Sequence, residues 1–116
     1  MTDQTYAALR KRITTANAKF KDAQPDTIKG FNTIHGQAMA DGALDAKTKE
    51  IIAVALSVAT RCDPCIAFHT RAALRHGATR EELMEMLSVT VLMGGGPSLM
   101  YCAHVVEVLD EELGEG

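Results

Sequence analysis

No stretch of this 116-residue sequence comes near the roughly 20 consecutive apolar residues that a helix needs to cross a bilayer, so no membrane span is expected. A run of lysine and arginine is also missing. Lys plus Arg number 12 against 15 Asp plus Glu, giving a formal charge of −3, whereas a nucleic-acid binder gathers positive charge into a patch. No nucleic-acid partner is expected. The N-terminal MTDQTYAALRKRITTANAKF carries charges every few residues and has no apolar core of signal-peptide length, so nothing marks it for secretion and the expectation is a soluble, cytoplasmic protein. Period-two strand alternation, low-complexity linkers and internal repeats are absent too. The length suits a single domain over residues 1–116, near the size at which partners often complete a core. Cysteine is scarce, with three in all. In a reducing compartment two that stand close together serve catalysis or metal binding more often than they staple a fold.

What the chain does have is helical period almost throughout, which makes the expected fold class all-α with about six helices. Leu9, Ile13, Ala16 and Phe20 lay an apolar stripe along a first helix that stops before Pro25. A second helix follows Asp26 with Ile28, Phe31, Ile34 and Ala38 inward, although Gly30 and Gly36 weaken it. Gly42 then acts as a stop and Asp45 as an N-cap for a third helix over 46–60. A fourth runs from the cysteine motif to about His76 and ends at Gly77. Thr79 with Glu82 three residues on forms a capping box for the fifth, which reaches the break GGGP; a sixth starts near Pro97 and carries Val105, Val106, Leu109 and Leu113. Apolar residues at 83, 84, 86, 87, 89, 91, 92 and 93 go nearly all round the fifth helix. Such a helix must be covered on every side, which short neighbouring helices can hardly do within one chain, so a homo-oligomer is expected.

The chemistry concentrates in CDPCIAFH, residues 62–69. Asp63 followed by Pro64 is a helix-start pair, with the aspartate capping exposed N–H groups and the proline having none to lose. Cys62 then lies just outside the helix and Cys65 in its first turn, where unpaired N–H groups and the positive end of the macrodipole favour thiolate over thiol. His69 is one turn further along the same face, roughly 5 to 6 Å away by Cβ. The arrangement suits a thiol that attacks, Cys65, and a second that resolves the product, Cys62.

Plainer readings apply elsewhere. Cys102 is assigned as small apolar filler, His76 as dipole compensation in a last turn, and His35 and His104 are given no role. Glu50 stands where the third helix turns apolar. From spacing alone it reads as a solvated residue near Lys47 and Lys49, although partial burial would raise its pKa and suit it to proton transfer. The rival to redox chemistry is structural zinc on Cys62, Cys65 and His69, with Cys102, Glu50 or His104 as a fourth ligand.

From Lys47 to about Tyr101, the residues Glu50, Cys62, Cys65 and His69, followed by HGATREEL and LMGGGPSLMY, resemble the carboxymuconolactone decarboxylase superfamily, in particular its AhpD-like alkylhydroperoxidase branch. The resemblance implies an all-helical fold assembled as trimers or hexamers. It makes Cys65 the peroxidatic thiol and Cys62 its redox partner, places Glu50 and His69 at proton-relay positions, and requires no metal or organic cofactor. The implied partners are a hydroperoxide or disulfide substrate and an external dithiol reductant. The chain departs from that pattern at Pro64, where AhpD has a further relay histidine. Lactone decarboxylation, the reaction that names the superfamily, is the weaker inference, because the decarboxylase lacks the cysteine pair.

Overall fold

A computed structural model describes residues 4–114. Among these residues the regular elements are all helices: α1 Tyr6–Ala23, α2 Pro25–Met39, α3 Ala46–Ala59, α4 Asp63–Arg75 and α5 Arg80–Leu113. The starts follow from local chemistry. Thr5 accepts the Ala8 N–H at 3.0 Å, and Asp45 Oδ1 accepts the Thr48 N–H at 2.8 Å, which lowers the Asp45 pKa by hydrogen bonding. In the expected capping box, Thr79 Oγ1 accepts the Glu82 N–H at 3.1 Å and Glu82 Oε1 accepts the Thr79 N–H at 2.9 Å. Two boundaries differ from expectation. Helix α2 begins at Pro25, whose missing N–H costs nothing at the first helical position, and it ends at Met39, short of Gly42.

The expected fifth and sixth helices are both present, as two segments of α5 that meet at a kink. Within α5 only Gly95 leaves helical geometry, at φ 70 and ψ −152, a conformation open to glycine and strained for other residues. One residue earlier, a Cβ at Gly94 would lie 1.9 Å from Ser98 Oγ, so the tight kink demands glycine for space. Pro97 follows where the second segment restarts.

Helices α3, α4 and α5 enclose the core. Val54 and Val58 come from α3, Ile66 and Ala73 from α4, and Leu83, Leu87, Val105, Val108 and Leu109 from α5. By length and composition α5 could cross a membrane, but Gly95 interrupts it and one face is built into this core.

Helix α1 lies against α4, while α2 packs on α1 and more thinly on α3. The apolar stripes expected to face inward on these two helices are therefore only partly covered. Leu9, Ile13 and Ile28 are half-buried, but Ala16, Phe20, Phe31, Ile34 and Ala38 are exposed. Their periodicity makes helices, but among the described residues no layer lies beyond them. A second uncovered surface runs along α3 and α5, where Leu56, Val89, Leu92 and Met93 are exposed, with Leu92 at 79% and Met93 at 81%.

Candidate active site

The α3–α4 connection sets the geometry. Arg61 takes φ 58, a left-handed conformation unusual for a non-glycine residue, and the Cys62 N–H then donates to the Ser57 carbonyl at 3.0 Å. This tight reversal brings the start of α4 back beside the end of α3. Cys62 occupies the N-cap position and Cys65 the first turn, as the spacing predicts. Asp63 does not cap, contrary to expectation. Cys62 Sγ accepts the Cys65 N–H at 3.3 Å, and the Asp63 carboxylate turns to α5 instead. Cys62 and Cys65 are joined as a disulfide, with their Cα atoms 5.2 Å apart. Both are half-buried.

One turn along α4, His69 Nδ1 lies 2.7 Å from Glu50 Oε1. Glu50 is 6% exposed, which removes its reading as a solvated first-turn residue. The reason lies in its neighbours: Lys47 Nζ donates to Glu82 at 2.8 Å and Lys49 Nζ donates to the Ala40 carbonyl, so both lysines face away while Glu50 points from α3 towards α4. A buried carboxylate needs a hydrogen-bond partner, and the His69 imidazole supplies it. Together, α3 and the first two turns of α4 carry the disulfide and the carboxylate–imidazole pair.

Three features of the surroundings were not legible in the chain. His35, given no role above, lies with its ring 6.5 Å from that of His69, the planes 25° apart, and both histidines line a cavity with Glu50, Arg10, Phe68 and Arg71. Arg10, on the polar flank of α1, is buried. Its Nη1 donates to the Ala67 carbonyl at 2.7 Å and its Nη2 to Glu112 at 2.7 Å, tying α1 to α4 and α5. Finally, His104 Nδ1 lies 2.5 Å from Asp63 Oδ1. These contacts join residues 57, 102 and 41 positions apart, and no local pattern announces pairings at that range.

The groups considered for zinc are engaged in other contacts, Cys62 and Cys65 with each other as a disulfide. Glu50 is engaged by His69 and His104 by Asp63, while Cys102 is packed against the core, where burial raises its thiol pKa. Among the described residues no group of three or more His, Cys, Asp or Glu side chains is arranged to hold a metal ion.

This arrangement belongs to a chain with close relatives. An uncharacterised protein of Cupriavidus necator is 45% identical over 105 residues, covering 88% of this chain and 93% of its own length. Uncharacterised protein 4 in the cox locus of Paracoccus denitrificans is 44% identical over 81 residues, covering 70% and 73%. Among solved structures, the apo form of a carboxymuconolactone decarboxylase family protein from Legionella pneumophila superposes with TM-score 0.89 at 49% identity, covering 91% of this chain and 95% of the other. A Thermotoga maritima protein of the same family, described with a suggested part in the antioxidative response, gives TM-score 0.71 at 31% identity and covers 76% and 91%. The sequence profile of the carboxymuconolactone decarboxylase family matches residues 25–108, a span that takes in α2, the Glu50–His69 pair, both cysteines and most of α5. On that match and these relatives, the chain belongs to the carboxymuconolactone decarboxylase family.

Proposed function

We propose that the protein is a thiol-dependent oxidoreductase of the AhpD-like type, which reduces a hydroperoxide or a disulfide through the Cys62–Cys65 couple. The observation that carries this reading is the disulfide at the start of α4 with a buried Glu50–His69 pair one turn further along. Cysteine thiolates are stabilised by the free N–H groups and positive dipole of a helix N-terminus. An imidazole held by a carboxylate on the same face is placed to move protons. The suggested antioxidative part of the Thermotoga maritima relative agrees with this reading.

In the cycle, the Cys65 thiolate attacks the terminal oxygen of the hydroperoxide. An S–O bond forms, the O–O bond breaks, and the leaving alkoxide takes a proton from His69, whose charge Glu50 balances. Cys62 then attacks the sulfenic sulfur, the S–S bond forms and water leaves. An external dithiol restores both thiols by two-electron exchange and is itself oxidised to a disulfide. Neither a metal nor an organic cofactor takes part. We further propose assembly as a trimer, or as a hexamer of paired trimers, through the apolar surfaces that the single chain leaves open.

Intact-mass measurement after thiol alkylation, on protein whose metal content is known, tests the reading. Oxidised protein should take up label at Cys102 alone, and reduction should make two further thiols available, those of Cys62 and Cys65. Stoichiometric zinc, with unfolding on chelation, would replace the redox reading with a metal one.

For the proton relay, Glu50→Gln and His69→Ala should each slow the attack step by about 100-fold, the low end of the contribution of a positioned acid–base group. Both should also raise the pH at which Cys65 becomes reactive, with the helical circular dichroism retained. An unchanged pH–rate profile in both variants would remove the pair from the mechanism.

A further inference from the structure

We propose that His104 is a positioning residue for the Cys62–Cys65 couple, acting through Asp63 to hold a carboxylate away from the negative charge that Cys65 must carry. The inference rests on the reading of Cys65 as the attacking thiol.

Asp63 lies inside the redox motif and is the first residue of α4. A carboxylate there stabilises a helix, because the N–H groups of the first turn form the positive end of the macrodipole. The same N–H groups and the same dipole are what stabilise a thiolate at Cys65. Carboxylate and thiolate thus compete for one terminus, and a like charge within the turn pushes the thiol towards its neutral form. The structure resolves this competition by drawing Asp63 out. Its side chain takes no part in capping, a place filled by Cys62 Sγ, and its Oδ1 sits 2.5 Å from His104 Nδ1 on α5. A hydrogen bond donated by the imidazole both fixes where the carboxylate points and spreads its charge towards α5.

His104 is itself held. The Tyr101 ring lies 4.7 Å from it at 57°, and the Tyr6 ring of α1 lies 6.5 Å away. Tyr6 donates its hydroxyl to Glu107 at 2.7 Å, and burial followed by that bond raises its pKa, so it stays a neutral phenol. The charged and titratable groups around the pair are therefore Tyr6 and Arg12 from α1, Asp63 from α4, and Tyr101, Glu107 and Glu111 from α5. Amid these groups the Asp63 carboxylate is bonded to His104.

The test is the pH dependence of iodoacetamide alkylation at Cys65 in fully reduced protein, resolved by peptide mass spectrometry. His104→Phe keeps a ring against Tyr101 and removes the donor. It should move the alkylation profile up by about half a unit to one pH unit, which slows alkylation roughly 3- to 10-fold at pH values below the thiol pKa. Asp63→Asn should not slow it, and the double variant should return to the wild-type rate, because the charge that needed holding is gone. A purely structural role for His104 predicts instead that the double variant is as slow as His104→Phe. That result, or an unchanged profile in His104→Phe, overturns the proposal. If His104→Phe does not fold, Asp63→Asn decides alone: alkylation as fast as wild type or faster supports the proposal, and slower alkylation overturns it. Alkylation is read without turnover. Wild-type protein that fails to reduce peroxides or disulfides would therefore count against the oxidoreductase reading, while this comparison would still return its own answer.

Discussion

Cys65→Ser is expected to abolish hydroperoxide-dependent turnover, a loss of at least about 1,000-fold of the kind seen when a nucleophile is removed. The reason is ionisation. A thiol placed at a helix N-terminus exists largely as thiolate near neutral pH, whereas a serine hydroxyl at the same place stays protonated and is a far weaker nucleophile. Cys62→Ser should behave differently. The first attack survives, resolution does not, and a sulfenic acid or a mixed disulfide should accumulate at Cys65, visible as a mass shift on its peptide. The asymmetry comes from the fold: Cys65 sits in the first turn of α4, while Cys62 is the residue before it. Trapping at Cys62 in the Cys65→Ser protein, with activity intact, would reverse the two roles.

The second large effect concerns assembly. Wild-type protein should sediment as a trimer or hexamer of 12.5 kDa chains, and the double substitution Val89→Glu with Leu92→Glu should shift it to monomers at micromolar concentration. Val89 is 62% exposed and Leu92 79% exposed, so neither contributes to the core of the single chain and the change should leave the helices intact. Val89 lines an apolar surface with Ile52, Leu56, Met86 and Met93, and Leu92 follows three residues on along α5. Covering a side chain of this kind contributes about 1.5 to 3 kcal/mol, which is roughly 10- to 100-fold in association for each position before the cost of burying a new charge is added. A wild-type monomer by light scattering would sink the proposal. An oligomer that survives the double substitution would move the interface elsewhere, with the exposed Phe31 and Ile34 face of α2 as the next place to look.

Sequence alone determined the features that depend on neighbours within a turn or two. The caps at Asp45 and at Thr79 with Glu82, the placing of Cys62 before α4 and Cys65 within it, and the positioning of His69 four residues on all follow from the hydrogen-bonding needs of helix termini and the helical repeat. The order of the helices was legible for the same reason. Glu50 marks the boundary. Read by spacing it was a solvated residue beside two lysines, resemblance made it part of a relay, and packing buried it against His69, 19 positions away. Only the tertiary structure decided that Arg10 goes inside, that His35 stands beside His69, that Asp63 turns from capping to His104, and that the apolar stripe of α2 stays in the open. Each of these depends on which helix face meets which across a gap of many residues. An amphipathic period states that a face needs cover, but it carries no information about what provides it, because burial is non-directional and is satisfied equally by another helix of the same chain or by a second copy.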